Sequence, residues 1–196
     1  MVVVQKAELK QISYQEYSDI LDLLTSKLMA VLKQENKQID LVVPILRSGG
    51  FTGLHIASKL GLTNILPVQY KYQYKSKISI EKKFDLPELI FELPKRPLIL
   101  IVDSNTVDGA IAELVISDVK SKFPDAELWF ASAVIDFSKG KFTNIDRVLF
   151  GLQSNESRKL TKNQADELNI PHSLIVFPWE NLEEQWEEIA RIFNAV

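Results

Sequence analysis

Leu98–Ala112 reads LILIVDSNTVDGAIA. Five apolar residues run unbroken from Leu98 to Val102 and stop at Asp103. A continuous apolar run of this length fits a strand buried on both faces, as strands of parallel sheets are. Short polar residues follow, then Asp108 and Gly109, and a helical pattern opens at Ala110. Ligands of open parallel sheets bind beyond the carboxyl ends of the strands. Backbone N–H groups of a turn that opens a helix attract anions. Asp103 to Gly109 is therefore a candidate sugar-phosphate or nucleotide site. An ordinary strand–turn–helix, with Asp and Asn only capping the turn, accounts for the same residues about equally well.

Working outward, the pattern recurs. The run Ile39–Ile45 ends in Pro44-Ile45-Leu46-Arg47-Ser48-Gly49-Gly50, and Phe51–Leu60 then reads as a helix closed by Gly61. Arg47 supplies a bidentate cation, and the two glycines let a ligand approach the backbone closely. The competing reading is a tight turn with an exposed arginine. Glu127–Ile135 is a further strand that stops at Asp136-Phe137-Ser138-Lys139-Gly140. Right-handed crossovers place these three loops on one rim of the sheet. Three polar loops on one rim make a plausible pocket.

The remaining segments complete an α/β pattern. Val2–Ile12 reads as a short strand or arm. Ser13 and Glu16 form a capping box ahead of a helix whose inward stripe is Tyr17, Ile20, Leu21, Leu24, Leu28, Val31 and Leu32. Asn64–Tyr70 is a strand candidate. The stretch YKYQYKSKISIEKK carries Lys71, Lys75, Lys77, Lys82 and Lys83 against Glu81 alone. It is either a lid over an anionic ligand or a solvated hairpin whose lysines guard an edge strand. Residues 84–96 are punctuated by proline and read as a connection. Ile111, Leu114, Val115 and Val119 mark the inward face of the next helix, which ends near Pro124. Arg147–Leu152 and Ser173–Phe177 read as strands, with a short helix opened by Thr161 and Gln164 between them. Asn181 and Glu184 open a last amphipathic helix bearing Leu182, Trp186, Ile189, Ala190 and Phe193. The expectation is one domain over 1–196, with a mainly parallel central sheet flanked by helices.

Composition narrows the function classes. A chain of 196 residues with 46% hydrophobic content can build one sizeable core. A net charge of −3 argues against a general nucleic-acid binder. Without cysteine there is no disulfide, thiolate metal site or cysteine nucleophile. No apolar run reaches membrane length, and the expectation is a soluble cytoplasmic protein. His55 and His172 stand alone, without metal-ligand spacing.

Taken together, these residues resemble the type I phosphoribosyltransferases, and among them the bacterial and archaeal purine (hypoxanthine, guanine, xanthine) enzymes. The resemblance runs from QISYQEY to FPWE. It implies a small carboxyl-terminal hood contributed by about 137–180, and transfer of a phosphoribosyl group from phosphoribosyl diphosphate to a purine base with release of diphosphate. Asp103 would hold ribose hydroxyls and serve magnesium indirectly, through the substrate. Asn105, Thr106, Val107, Asp108, Gly109 and Ala110 would surround the 5′-phosphate, and Ser104 would stand in the same phosphoribosyl-diphosphate site. Arg47, Ser48 and Gly49 would bind diphosphate, with Arg47 and a lid lysine such as Lys71 stabilising the leaving group. Lys139 would meet the exocyclic oxygen of a 6-oxopurine. Leu174, Ile175 and Val176 would pack beside the ring, and Glu180 could read its edge. Asp108 and Asp136 are the candidates for a general base. The implied cofactor is magnesium and the implied assembly a homodimer. The chain departs from the family pattern at Ser104 (the second acid), Val107, Asp108 (a threonine that binds phosphate), Ile111 and Leu174. The alternative is therefore a catalytically silent protein of the same fold, binding a nucleotide or a protein partner in a regulatory role. An unrelated α/β protein, receiver-like or flavodoxin-like, ranks third.

Overall fold

The computed structural model describes residues 8–74 and 78–187. In chain order the elements are β1 (Leu9–Gln11), α1 (Tyr14–Glu35), β2 (Leu41–Leu46), α2 (Gly49–Leu60), β3 (Val68–Tyr74), β4 (Ile78–Phe84), β5 (Leu98–Thr106), α3 (Ala110–Lys122), β6 (Glu127–Asp136), β7 (Arg147–Ser154), α4 (Lys162–Glu167) and β8 (Leu174–Val176). Six strands form the central sheet in the order β4-β3-β2-β5-β6-β7. The β3–β4 pair is antiparallel and the other pairs are parallel. This is the mainly parallel sheet expected from the sequence.

The pleat of β5 divides the core. Leu98, Leu100 and Val102 face Leu24, Leu28 and Leu32 of α1 and Ile56 of α2. Ile99 and Ile101 face Val115, Ile116 and Val119 of α3. Successive strand side chains point to opposite faces, so an unbroken apolar run needs helices on both. Each leucine so buried contributes about 1.5–3 kcal/mol. The expected capping box at Ser13 and Glu16 starts α1, and Gly61, at φ 65°, terminates α2.

Several boundaries differ from expectation. β5 continues through Asp103 to Thr106, because Asp103, Asn105 and Thr106 pair in parallel register with Ser132, Val134 and Ile135 of β6. The polar loop is thus only residues 107–109. Of Asn64–Tyr70, only Val68 onward belongs to β3, and Ile65 makes an isolated bridge to Val42. On α3 the inward face is Ala112, Val115, Ile116 and Val119, whereas Leu114 is 43% exposed. The hood also draws on the amino-terminal region, since β8 pairs in parallel with β1 in a two-stranded sheet. Val2, Lys75, Lys77, Ile189, Ala190 and Phe193 lie outside the described residues. Among the described residues no helix is long and apolar enough to cross a membrane.

The strand order also locates a crevice. From β2 the chain steps outward to β3, and from β5 it steps the opposite way to β6. β2 and β5 are neighbours, so the topological switch point lies between their carboxyl ends.

Candidate functional site

Arg47, Ser48 and Gly49 leave the end of β2, and Asp103 lies near the end of β5, beside them. The Leu46–Arg47 peptide bond is cis. Gly49 opens α2 directly against β5: a Cβ there would lie 2.7 Å from the Val102 carbonyl oxygen and 3.2 Å from Asp103 Cα. Only glycine permits this approach. Ser48, the N-cap residue of α2, makes no side-chain capping bond. Arg47 is exposed and forms no ion pair among the described residues. An exposed cation and an uncapped helix amino end therefore face the switch point, an arrangement suited to an anion.

Asp103 is half-buried. Burial of its carboxyl raises its pKa to about 7, opposed by the N–H groups of Ser104 and Asn105 and the Thr106 hydroxyl. The Ser104 N–H donates to Oδ1 at 2.8 Å. A carboxyl poised between its two protonation states can accept from a sugar hydroxyl or donate to one.

Most of the remaining polar residues of β5 turn inward, away from the crevice. Ser104 is fully buried, its hydroxyl 2.9 Å from Thr52 Oγ1 and 3.2 Å from the phenol oxygen of Tyr17. Tyr17 and Thr52 close the triangle at 2.8 Å. Burial raises the Tyr17 pKa. Asn105 reaches back to the hood and donates from Nδ2 to Glu156 at 3.0 Å. Thr106 meets Ser132 at 3.1 Å. Ser104 and Asn105 thus serve packing in this structure rather than line the crevice.

The loop beyond β5 is held from below. Gly109 adopts φ 72°, and a Cβ on it would lie 2.8 Å from the Phe142 ring and 3.6 Å from Cδ of Lys139. Lys139 is thereby brought beside the amino end of α3, and its ammonium forms no ion pair among the described residues. Val107 is half-buried, whereas Asp108 is exposed. Asp108 accepts the Ala110 N–H at 3.0 Å and the Tyr72 hydroxyl at 2.6 and 2.7 Å. Lys71 lies on the opposite face of β3 from the buried Tyr70, because strand side chains alternate.

The other candidates have structural partners. Asp136, fully buried, accepts from Ser138 N and Oγ and from Ser157 N and Oγ, all within 3.0 Å. A carboxylate so fully satisfied is a loop anchor rather than a general base. Ile175 packs with Ile12 and Tyr17, and Val176 is buried, while Leu174 stays half-buried. Glu180 accepts the Phe177 N–H at 2.8 Å and so fixes the hood turn.

Three residues to which the sequence reading gave no part in the site shape this region. Glu156 is 7% exposed and bridges Asn105 to the Ile175 N–H at 3.1 Å. Burial, with Asp136 and Glu180 nearby, raises its pKa to about 7. Phe51, on the first turn of α2, stacks on Trp179 at 4.3 Å and so ties α2 to the segment after β8. Tyr72 holds the hairpin to Asp108, and its only sequence signal is the alternation of Tyr70, Tyr72 and Tyr74.

Comparison with solved structures places the fold. A purine phosphoribosyltransferase from Pyrococcus horikoshii superposes with a TM-score of 0.62 at 18% identity, covering 89% of this chain and 95% of its own. The chain has the type I phosphoribosyltransferase fold. The xanthine-guanine-hypoxanthine phosphoribosyltransferase of Helicobacter pylori matches at 0.58 and 18% identity, over 92% and 99% of the two chains. A hypothetical protein from Neisseria gonorrhoeae with bound ppGpp matches at 0.62 and 14%, over 94% and 97%. No protein-family profile matches the sequence, and no curated protein does.

Proposed function

We propose that the protein binds phosphoribosyl diphosphate between β2 and β5 and transfers the phosphoribosyl group to a purine base. One observation carries this reading: the close approach of Gly49 to Asp103 at the switch point. It sets a carboxyl suited to ribose hydroxyls against a backbone loop whose arginine is suited to diphosphate. A ring nitrogen of the base forms the new bond to the anomeric carbon as the bond to the diphosphate oxygen breaks, and the proton the nitrogen gives up passes to the departing diphosphate or to water. Arg47 would take up charge on the departing diphosphate, Asp103 would orient the ribose, and Lys139 would meet the base's exocyclic oxygen. The acceleration would come from positioning and charge stabilisation.

Magnesium fits this scheme only as a passenger of the substrate. Among the described residues no group of three or more His, Asp or Glu is placed to hold a metal, and Ser104 gives the crevice no second acid. Asp103 is the carboxylate that would face a magnesium ion carried by diphosphate oxygens and water. The ion would supply charge neutralisation of the diphosphate. A cytoplasmic salvage enzyme working as a homodimer, with small-molecule substrates and neither nucleic acid nor membrane as partner, is the setting this reading implies.

A second reading is favoured by Asp108, whose carboxylate occupies the amino end of α3 where the family pattern carries a threonine for phosphate. In it the protein binds a nucleotide or a protein partner in a regulatory role without turnover. The neighbour from Neisseria gonorrhoeae, solved with bound ppGpp, is compatible with it. Titration calorimetry with phosphoribosyl diphosphate and purine monophosphates, with and without magnesium, followed by a diphosphate-release assay over a panel of bases, separates the two. Binding with release supports transfer. Binding of nucleotide without release from any base supports the silent protein. Binding of none of these ligands removes both readings.

A further inference from the structure

The β3–β4 hairpin is fastened to α3 and to the loop before it by contacts of different character. Near its base, Tyr70 is 5% exposed and packs in the core with Val68. There the Tyr70 hydroxyl and the Lys82 ammonium both bind Asp118, and Lys82 also pairs with Asp85 at 3.1 Å. Further out, Tyr72 crosses to Asp108, which sits in solvent and engages the hydroxyl with both carboxylate oxygens. The backbone under Asp108 is held, since Gly109 abuts Phe142 and the Lys139 stem. The side chain of Asp108 is the part that can turn. An exposed contact beyond a packed base is the weaker fastening and opens first.

The same carboxylate takes the Ala110 N–H at the start of α3. It therefore stands where the proposed function puts the 5′-phosphate of the ligand, and the two anions compete for one position. We propose that the Tyr72–Asp108 contact is an autoinhibitory latch, closed in the free protein and released when an anionic ligand turns Asp108 out. This rests on the phosphoribosyl reading of the crevice. Ligand binding and release of the outer hairpin are then one equilibrium, and the closed latch lowers apparent affinity by the fraction of molecules that hold it.

Tyr72→Phe and Asp108→Ala in the full chain test this. Amide hydrogen exchange is measured over 68–74 and 79–84 without ligand, with 99–102 as the core reference. Phosphoribosyl diphosphate affinity is measured by calorimetry with magnesium. The latch predicts faster exchange in the hairpin by about fivefold or more with the core reference unchanged, and affinity tighter by about tenfold in both variants. If one variant loses core protection, the other carries the test. Unchanged hairpin exchange overturns the latch. Faster exchange with affinity equal to or below that of the unaltered protein overturns it too. If neither the unaltered protein nor either variant binds the ligand, the phosphoribosyl reading falls and the competition falls with it.

Discussion

Gly49 lies against the backbone of Asp103, so near that an added methyl would sit 3.2 Å from Asp103 Cα and 3.5 Å from its Oδ1. The amino end of α2 and the acid of β5 therefore meet directly across the switch point. Whatever binds there meets both at once.

Gly49→Ala should force α2 away from β5. The expected cost is about 1–3 kcal/mol of stability, seen as a lower urea midpoint, together with weaker binding of phosphoribosyl diphosphate. An unchanged midpoint would show that the two elements can slide apart freely.

Ser104→Ala should remove one hydroxyl from the triangle with Tyr17 and Thr52. A loss of about 1 kcal/mol is expected, with ligand affinity unaltered because the side chain faces the core. Ser104→Asp should not restore a second catalytic acid. It buries a charge beneath α1 and should destabilise by several kcal/mol. A gain in affinity from Ser104→Asp would refute this placement of the side chain.

Glu156 predicts a falling stability with rising pH. Its folded pKa of about 7 lies above the ordinary glutamate value. Below about pH 4 both states are protonated. Between about pH 4 and 7 the unfolded chain releases the proton that the folded chain retains, so folding loses free energy as pH rises, and the loss levels off above 7. Its size is on the order of 3 kcal/mol. Glu156→Gln should make the profile of denaturation midpoint against pH less steep, with the raised pKa of Asp103 carrying the remaining slope. A profile of the variant parallel to that of the unaltered protein would assign the slope elsewhere.

Arg47→Ala changes an exposed residue with no ion pair among the described residues. Stability should stay within about 0.5 kcal/mol, while phosphoribosyl diphosphate affinity falls by about tenfold or more. Equal affinity, measured by calorimetry at fixed magnesium, would detach the β2 loop from the diphosphate.

The α/β order was legible because its signals are local. The run Leu98–Val102 reports burial on two faces, and Ser13 with Glu16 reports a helix start. The polar tail of β5 was not legible. Asp103 to Thr106 look like loop residues, and their strand conformation depends on β6 and on Tyr17, Thr52, Ser132 and Glu156, all remote in sequence. The same remoteness hid the direction of Ser104, which the pleat decides, and the Tyr72–Asp108 contact. Asp108 itself was visible as a misfit to the family pattern, but what it binds was not.

The pairing of β1 with β8 has a consequence for how the chain is made. Leu9 is matched with Leu174, and the Gln11 side chain donates to the carbonyl of Glu180. Among the described residues β1 has no strand partner until about 165 further residues have been added, roughly ten to thirty seconds at ordinary elongation rates. By then the central sheet through Ser154 has all its strands. The β1–β8 pair forms last, and until it does Ile12 and Tyr17 lack the Ile175 and Phe177 that cover them. A ribosome stalled shortly before Leu174 would display β1 and α1 with the face that β8 covers still open.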